Sequence, residues 1–186
     1  MVGIFSAFGL SASAGLNAYL PLLLVAIFAK LDVIKLNAPF DALESWWAIG
    51  VLVVLLVIEF FVDKIPAVDT LNDVIHTLIR PAAGAVLFAA SANVVTDLSP
   101  VISIVLGILV AGGVHVAKAS ARPVVTATTA GTGNSVVSVV EDVVAGVTSL
   151  LAILLPWVLM IVATTGIVLF LWWRLSRLES APTAQA

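Results

Sequence analysis

The sequence predicts an all-α fold: a polytopic membrane bundle of six transmembrane helices with an amphipathic helix on the cytoplasmic side. Three observations predict it. Hydrophobic residues make up 62% of the 186 and charged residues 10%, with a mean hydropathy of +1.22, whereas ordinary globular domains carry roughly 25% charged residues. Several apolar runs approach the ~20 residues that cross a bilayer, and a backbone in hydrocarbon must satisfy its own polar groups. Tryptophans and prolines punctuate those runs where helix ends and interfaces are expected. A single domain over 1–178 is expected, followed by a small-residue tail, 179–186, read as disordered.

The first span is expected over 3–29. Ala12-Ser13-Ala14 has the form of a leader cleavage site, but no positive segment precedes it and the apolar run continues beyond it, so the segment reads as a retained span. Ser6, Gly9, Ser13 and Asn17 share one face, and Gly15 and Pro21 flank Asn17. That pattern is either a small-residue packing stripe or a broken helix facing a cavity. Trp46-Trp47 open the second span, 46–62, and Pro66 stops it. An amphipathic helix follows from Val68 to Arg80, and Pro81 opens the third span, 81–96. The fourth is 101–118. The β-branched, glycine-rich stretch 124–134 reads as a surface loop or a re-entrant segment. The fifth span is 134–155, broken by Pro156, and the sixth is 157–173, with tryptophan at both ends.

Six spans put both termini on one side. With that side cytoplasmic, the inner segments hold Lys64, Arg80, Lys118, Arg122, Arg174 and Arg177, against Lys30 and Lys35 outside. This excess follows the positive-inside rule and predicts a multi-pass protein of the cytoplasmic membrane with both termini inside. The two three-span halves then run in opposite senses, the arrangement of an inverted repeat. Arg80-Pro81 and Arg122-Pro123 are its faint echo in the sequence.

Composition also excludes functions. Without cysteine there is no disulfide, zinc–thiolate or iron–sulfur site. A net charge of −3 without a basic patch argues against nucleic acid as a partner. No P-loop, nucleophile elbow or His-Glu-x-x-His helix is present. His115-x6-Arg122-Pro123 is similar to the opening motif of membrane lipid phosphatases, but the remaining elements are missing, so the chain is not expected to be an enzyme. No cofactor or metal is expected.

Three polar faces stand out. At 100° per residue, Asp69, Asp73, His76 and Arg80 fall at about 0°, 40°, 340° and 20°, one narrow stripe. His115, Lys118 and Arg122 form a second. Asn134, Ser138, Glu141, Ala145 and Ser149 align within about 80° along the fifth span, with Asp142 beside them. A charge at the centre of a membrane helix costs at least ~2.5 kcal/mol, and such residues usually face a bundle interior or water.

The combination Gly15-Leu-Asn-Ala-Tyr19, Glu59-x-x-x-Asp63-Lys-Ile-Pro66, Asp69, Asp73-x-x-His76-Thr77, Arg80-Pro81-x-x-Gly84, His115-x-x-Lys118-x-x-x-Arg122 and Glu141-Asp142 resembles a family of small bacterial membrane proteins known only as a domain of unknown function. The resemblance runs from about Ser11 to Val144. It departs where a Ser-Pro-Glu-Pro-like loop would precede the Glu-Asp pair; Thr128 to Asn134 stands there instead. The resemblance implies an integral membrane protein and brings no activity.

The function expected from the residues is a small secondary transporter or channel with a polar, proton-coupled intramembrane site for a small polar or ionic substrate. Its candidate residues are Asn17, Glu59, Asp63, Asp69, Asp73, His76, Arg80, His115, Lys118, Arg122, Asn134, Glu141 and Asp142. Glu59, Glu141 and Asp142 would hold protons or a cation. His76 and His115 would titrate beside them, and Arg80, Lys118 and Arg122 would meet an anionic group. At this size a homodimer is an expected way to complete a cavity. The alternative is a non-transporting structural or lipid-interacting membrane protein, whose charges form a buried salt-bridge network. The charged stripe is expected to turn inward, toward Lys118, Arg122 and Glu141.

Overall fold

A computed structural model describes residues 3–62, 66–92 and 98–179, the side chains of 66–74, 92, 178 and 179 excepted. Among the described residues there are seven α-helices and one 3₁₀ turn, Phe40–Glu44. The helices are α1 (Ile4–Leu16), α2 (Tyr19–Lys30), α3 (Trp46–Val62), α4 (Pro66–Ala92), α5 (Pro100–Thr129), α6 (Thr132–Leu154) and α7 (Pro156–Glu179). The described residues form helices and their connections only, in line with the all-α expectation. α5, α6 and α7 up to Arg177 are long and apolar enough to cross a membrane. α1, α2, α3 and the 75–91 part of α4 are apolar but shorter.

Burial is inverted relative to a water-soluble protein. Glu59, His76, Arg80, His115, Lys118 and Arg122 are buried, while valines, leucines, isoleucines and phenylalanines of α3, α5, α6 and α7 are exposed. An apolar exterior of this extent marks a surface that meets something other than water. With spans of sufficient length, that something is lipid, so this is a membrane-like helical protein.

α1 is the central pillar: it packs against α4, α5 and α6 and touches α7. Its small residues allow close approach on several sides. Ser11 Oγ donates to the Gly84 carbonyl at 2.8 Å, and Ser13 Oγ donates to the Ala145 carbonyl at 2.7 Å. A methyl group at Gly15 would meet Val114 Cβ at 2.6 Å. The closest pairing is α4 with α5, where a Cβ on Gly107 would lie 2.6 Å from Ala85 Cα and one on Gly84 would lie 2.8 Å from the Gly107 carbonyl.

Four expected boundaries are corrected. The span 3–29 is two helices: Asn17 is extended (φ −140°, ψ 123°) and ends α1. The face of small residues and the helix break, set as alternatives by the sequence, are both present. The amphipathic helix and the span 81–96 are one helix, with Pro81 inside it. Similarly, α5 passes through Pro123 and ends at Thr129 rather than at 118. The stretch 124–134 is thus the end of α5, a two-residue turn and the start of α6, rather than a loop throughout. Thr126, Thr128 and Thr129 donate back to the carbonyls of Arg122, Val124 and Val125 at 3.0, 2.9 and 2.7 Å, which lets hydroxyl side chains stay helical without water. Ala130 (φ 50°) and Gly131 (φ 85°) then turn the chain in the left-handed region that glycine tolerates. Finally, α7 continues beyond 173 to Glu179.

The α4–α5 contact gives a direct test. Gly107→Val is expected to lower stability by about 3 kcal/mol, because the α5 backbone must retreat from α4. Gly113→Ala, where an added Cβ meets nothing within 4 Å, should leave the melting temperature unchanged or slightly raised. Thermal unfolding in detergent distinguishes the two.

Candidate functional site

The site grows from the break between α1 and α2. Leu20 N, the usual partner of the Leu16 carbonyl in a continuous helix, donates instead to Asn17 Oδ1 at 2.9 Å, and Tyr19 N donates to the same oxygen at 3.1 Å. The asparagine side chain thus starts α2. The Leu16 carbonyl, released from the helix, accepts from Lys118 Nζ at 3.0 Å. Asn17 Nδ2 donates to Asp142 Oδ1 at 2.9 Å. The Tyr19 ring meets the His76 ring edge-on, 5.7 Å between centroids. Leu16, Asn17 and Tyr19 therefore contact three polar residues from three different helices: Lys118 of α5, Asp142 of α6 and His76 of α4.

Two charge clusters flank this break. In the first, Arg80 is 0% and Glu59 2% exposed. Glu59 Oε1 lies 3.2 Å from Arg80 Nη2 and 3.6 Å from His76 Nδ1. Arg80 Nη1 lies 3.0 Å from His115 Nδ1, and His115 Nε2 lies 3.2 Å from Thr77 Oγ1. A guanidinium can only donate, so His115 Nδ1 accepts. The proton is therefore on Nε2, directed at the Thr77 hydroxyl, and His115 is neutral in this arrangement. Protonating Nδ1 would remove the acceptor and set two cations against each other at 3.0 Å. Arg80 would have to withdraw toward Glu59.

In the second cluster, Glu141 Oε2 is shared by Lys118 Nζ at 2.8 Å and Arg122 Nη2 at 3.3 Å. One turn along α5, Thr126 Oγ1 accepts from Asn134 Nδ2 at 2.9 Å, tying the end of α5 to the start of α6. Ser138 is 1% exposed, and its hydroxyl has no hydrogen-bond partner among the described residues. It sits one turn from Asn134 on one side and from Glu141 and Asp142 on the other.

The described part of the charged stripe turns inward, with His76 and Arg80 both buried. They reach Glu59 and His115, whereas Glu141 belongs with Lys118 and Arg122. Asp63 lies outside the described residues, as do the side chains of Asp69 and Asp73. Three participants are absent from the sequence-derived set. Thr77 holds His115, Tyr19 abuts His76, and the Leu16 main-chain carbonyl receives Lys118. The signals for the first two were the His76-Thr77 pair and the Asn-Ala-Tyr run. A backbone acceptor carries no signal in side-chain chemistry.

Residues 4–177 match the family described as a domain of unknown function (DUF4126), and the chain belongs to that family. No curated protein and no solved structure matches it.

Removing one member of a buried ion pair leaves the other charge stranded. Glu59→Gln is therefore expected to cost about 3 kcal/mol. The double variant Glu59→Gln/Arg80→Met should recover most of that loss in the same thermal melt. Equal melting temperatures for wild type and Glu59→Gln would refute the pairing.

Proposed function

We propose that this family member is a small proton-coupled secondary transporter or channel of the cytoplasmic membrane. The chain would cross six times, with α1 and α2 as one interrupted crossing and both termini cytoplasmic. One observation carries the reading: a helix interrupted inside the bundle, with its released carbonyl and its cap engaged by Lys118 of α5 and Asp142 of α6. Discontinuous helices of this type place backbone polar groups and charged side chains around substrates and coupling ions in transporters. Non-helical backbone in a membrane protein is tolerated where it is buried in protein or lines a water-filled cavity. A passive structural bundle has no need of the interruption; an uninterrupted α1–α2 would keep the Leu16 carbonyl and leave Lys118 unnecessary.

In this reading the Glu59–Arg80–His115 chain carries the proton. His115 accepts it only when Arg80 gives up Nδ1, and Arg80 then rests on Glu59. The proton is thereby tied to a movement of α4 relative to α5. Lys118 and Asp142 connect such a movement to the Asn17 break. Arg80-Pro81 and Arg122-Pro123, each inside a long helix, support the inverted-repeat relation between the halves. A homodimer remains part of the proposal, supported by the exposed apolar residues of α7 from Trp157 to Trp173.

The test uses protein reconstituted in liposomes that enclose a pH dye, with small amines, amino acids and organic acids supplied outside in turn. At least one class is expected to drive proton movement, and His115→Gln should slow it tenfold or more in protein that still melts cooperatively. If no class moves protons faster than empty liposomes do, the proposal fails and the charges are a salt-bridge lock.

A further inference from the structure

We propose that the Leu16 carbonyl and the Glu141 carboxylate form a binding site for a primary ammonium, which Lys118 fills with its own side chain until a free amine takes its place. This names a substrate class for the transporter reading above and rests on that reading for its biological meaning.

The site begins with a helix end. The Ser13 carbonyl accepts from Asn17 N at 3.0 Å, and beyond this bond α1 stops. The C-terminal end of a helix carries about half a negative charge, and the Leu16 carbonyl belongs to that end. On α6, the Glu141 carboxylate supplies the second acceptor. Lys118 Nζ donates to both, at 3.0 and 2.8 Å, the distances of N–H···O hydrogen bonds. One of the chain's own groups thus displays the ligand this pair of acceptors takes: a compact cation that donates hydrogen bonds in two directions. In secondary transporters the C-terminal ends of half-helices coordinate the coupling cations; here such an end meets an ammonium.

Two features make the occupant exchangeable. Glu141 Oε2 also meets Arg122 Nη2 at 3.3 Å, so the carboxylate keeps a cation when Lys118 withdraws. Lysine carries its charge on a flexible four-carbon stem, whereas the fork of an arginine is rigid. The Glu141 side chain is 12% exposed and that of Lys118 2%, which places the approach to the site on the Glu141 side. An empty site would deprive the Leu16 carbonyl of this donor inside the bundle, and a buried polar group without a hydrogen bond is costly. A tethered ammonium removes that cost between substrates. The acceptors also select the ligand. An anion would be repelled by the carboxylate, a neutral alcohol cannot replace the charge of Lys118, and a quaternary cation has no N–H to offer the carbonyl.

The probe is n-propylammonium, which supplies the four heavy atoms that Lys118→Ala removes. Tetramethylammonium, a cation without an N–H, and n-propanol, which is uncharged, are the counterparts. Binding is measured by equilibrium dialysis on the full chain in lipid nanodiscs, against empty nanodiscs. Lys118→Ala should bind propylammonium saturably and at least tenfold more tightly than either counterpart. The wild type should bind it too, at least tenfold more weakly, because Lys118 competes for the site. Lys118→Arg, which keeps the charge without the flexible stem, should abolish binding; its comparison with the wild type decides the matter if Lys118→Ala fails to fold. No saturable binding to the wild type overturns the proposal and makes Lys118 a permanent plug. Binding that Lys118→Arg leaves unchanged, or that tetramethylammonium matches, overturns it as well. Proton movement in liposomes driven by another substrate class, without propylammonium binding, sinks this inference and spares the transporter reading. Wild-type binding that Lys118→Arg abolishes, without proton movement, does the reverse.

Discussion

Lys118 divides its ammonium between two unlike acceptors, the main-chain carbonyl of Leu16 and the carboxylate of Glu141. The arrangement of the bundle depends on that division. A helix interrupted away from water leaves a carbonyl whose loss of hydrogen bonding is costly, and Lys118 satisfies it. A lysine in the same place carries a charge that cannot remain alone, and Glu141 satisfies that. The chain Leu16–Lys118–Glu141–Arg122 thus joins α1, α5 and α6 through residues that each require the next. Removing Lys118 would take this donor from the Leu16 carbonyl, and removing Glu141 would take this carboxylate from Lys118 and Arg122.

The second cluster of constraints is arranged differently. Glu59 serves Arg80 and His76 at once, and Arg80 also reaches His115. Here the acceptor nitrogen of one member, His115, is already occupied by a guanidinium. The two clusters meet at the α1–α2 break, through Tyr19 on one side and Leu16 on the other.

Composition made the class legible, and helical periodicity made the polar faces legible. Asn134, Ser138, Glu141, Ala145 and Ser149 line one side of α6, and four of these five are buried. The two prolines misled, because in water-exposed chains a proline usually marks a helix boundary. Pro81 and Pro123 sit inside α4 and α5, where neighbouring helices hold the segments on both sides in line. Threonines misled similarly: β-branched residues suggested a loop at 124–134, yet their hydroxyls return to the helix. Partner choice was the least legible. Nothing local says that Glu59 meets Arg80 and not Lys118, or that Lys118 reaches a carbonyl 102 positions away. Those pairings follow from how closely Gly84, Gly107 and Gly15 let α4, α5 and α1 approach, which is a property of the assembled bundle.

A transporter of the kind proposed must open the interior around the break to water at some stage of its cycle. The chain has no cysteine, so Ser138→Cys, nearly isosteric and 1% exposed at the serine, would supply a single buried thiol beside Asn134, Glu141 and Asp142. A charged, membrane-impermeant maleimide is then expected to label this thiol in liposomes, at a rate that changes at least severalfold between about pH 5 and pH 8. A thiol that stays unlabelled at every pH, in protein that labels fully once unfolded, would contradict it and identify the charged interior as a permanent lock.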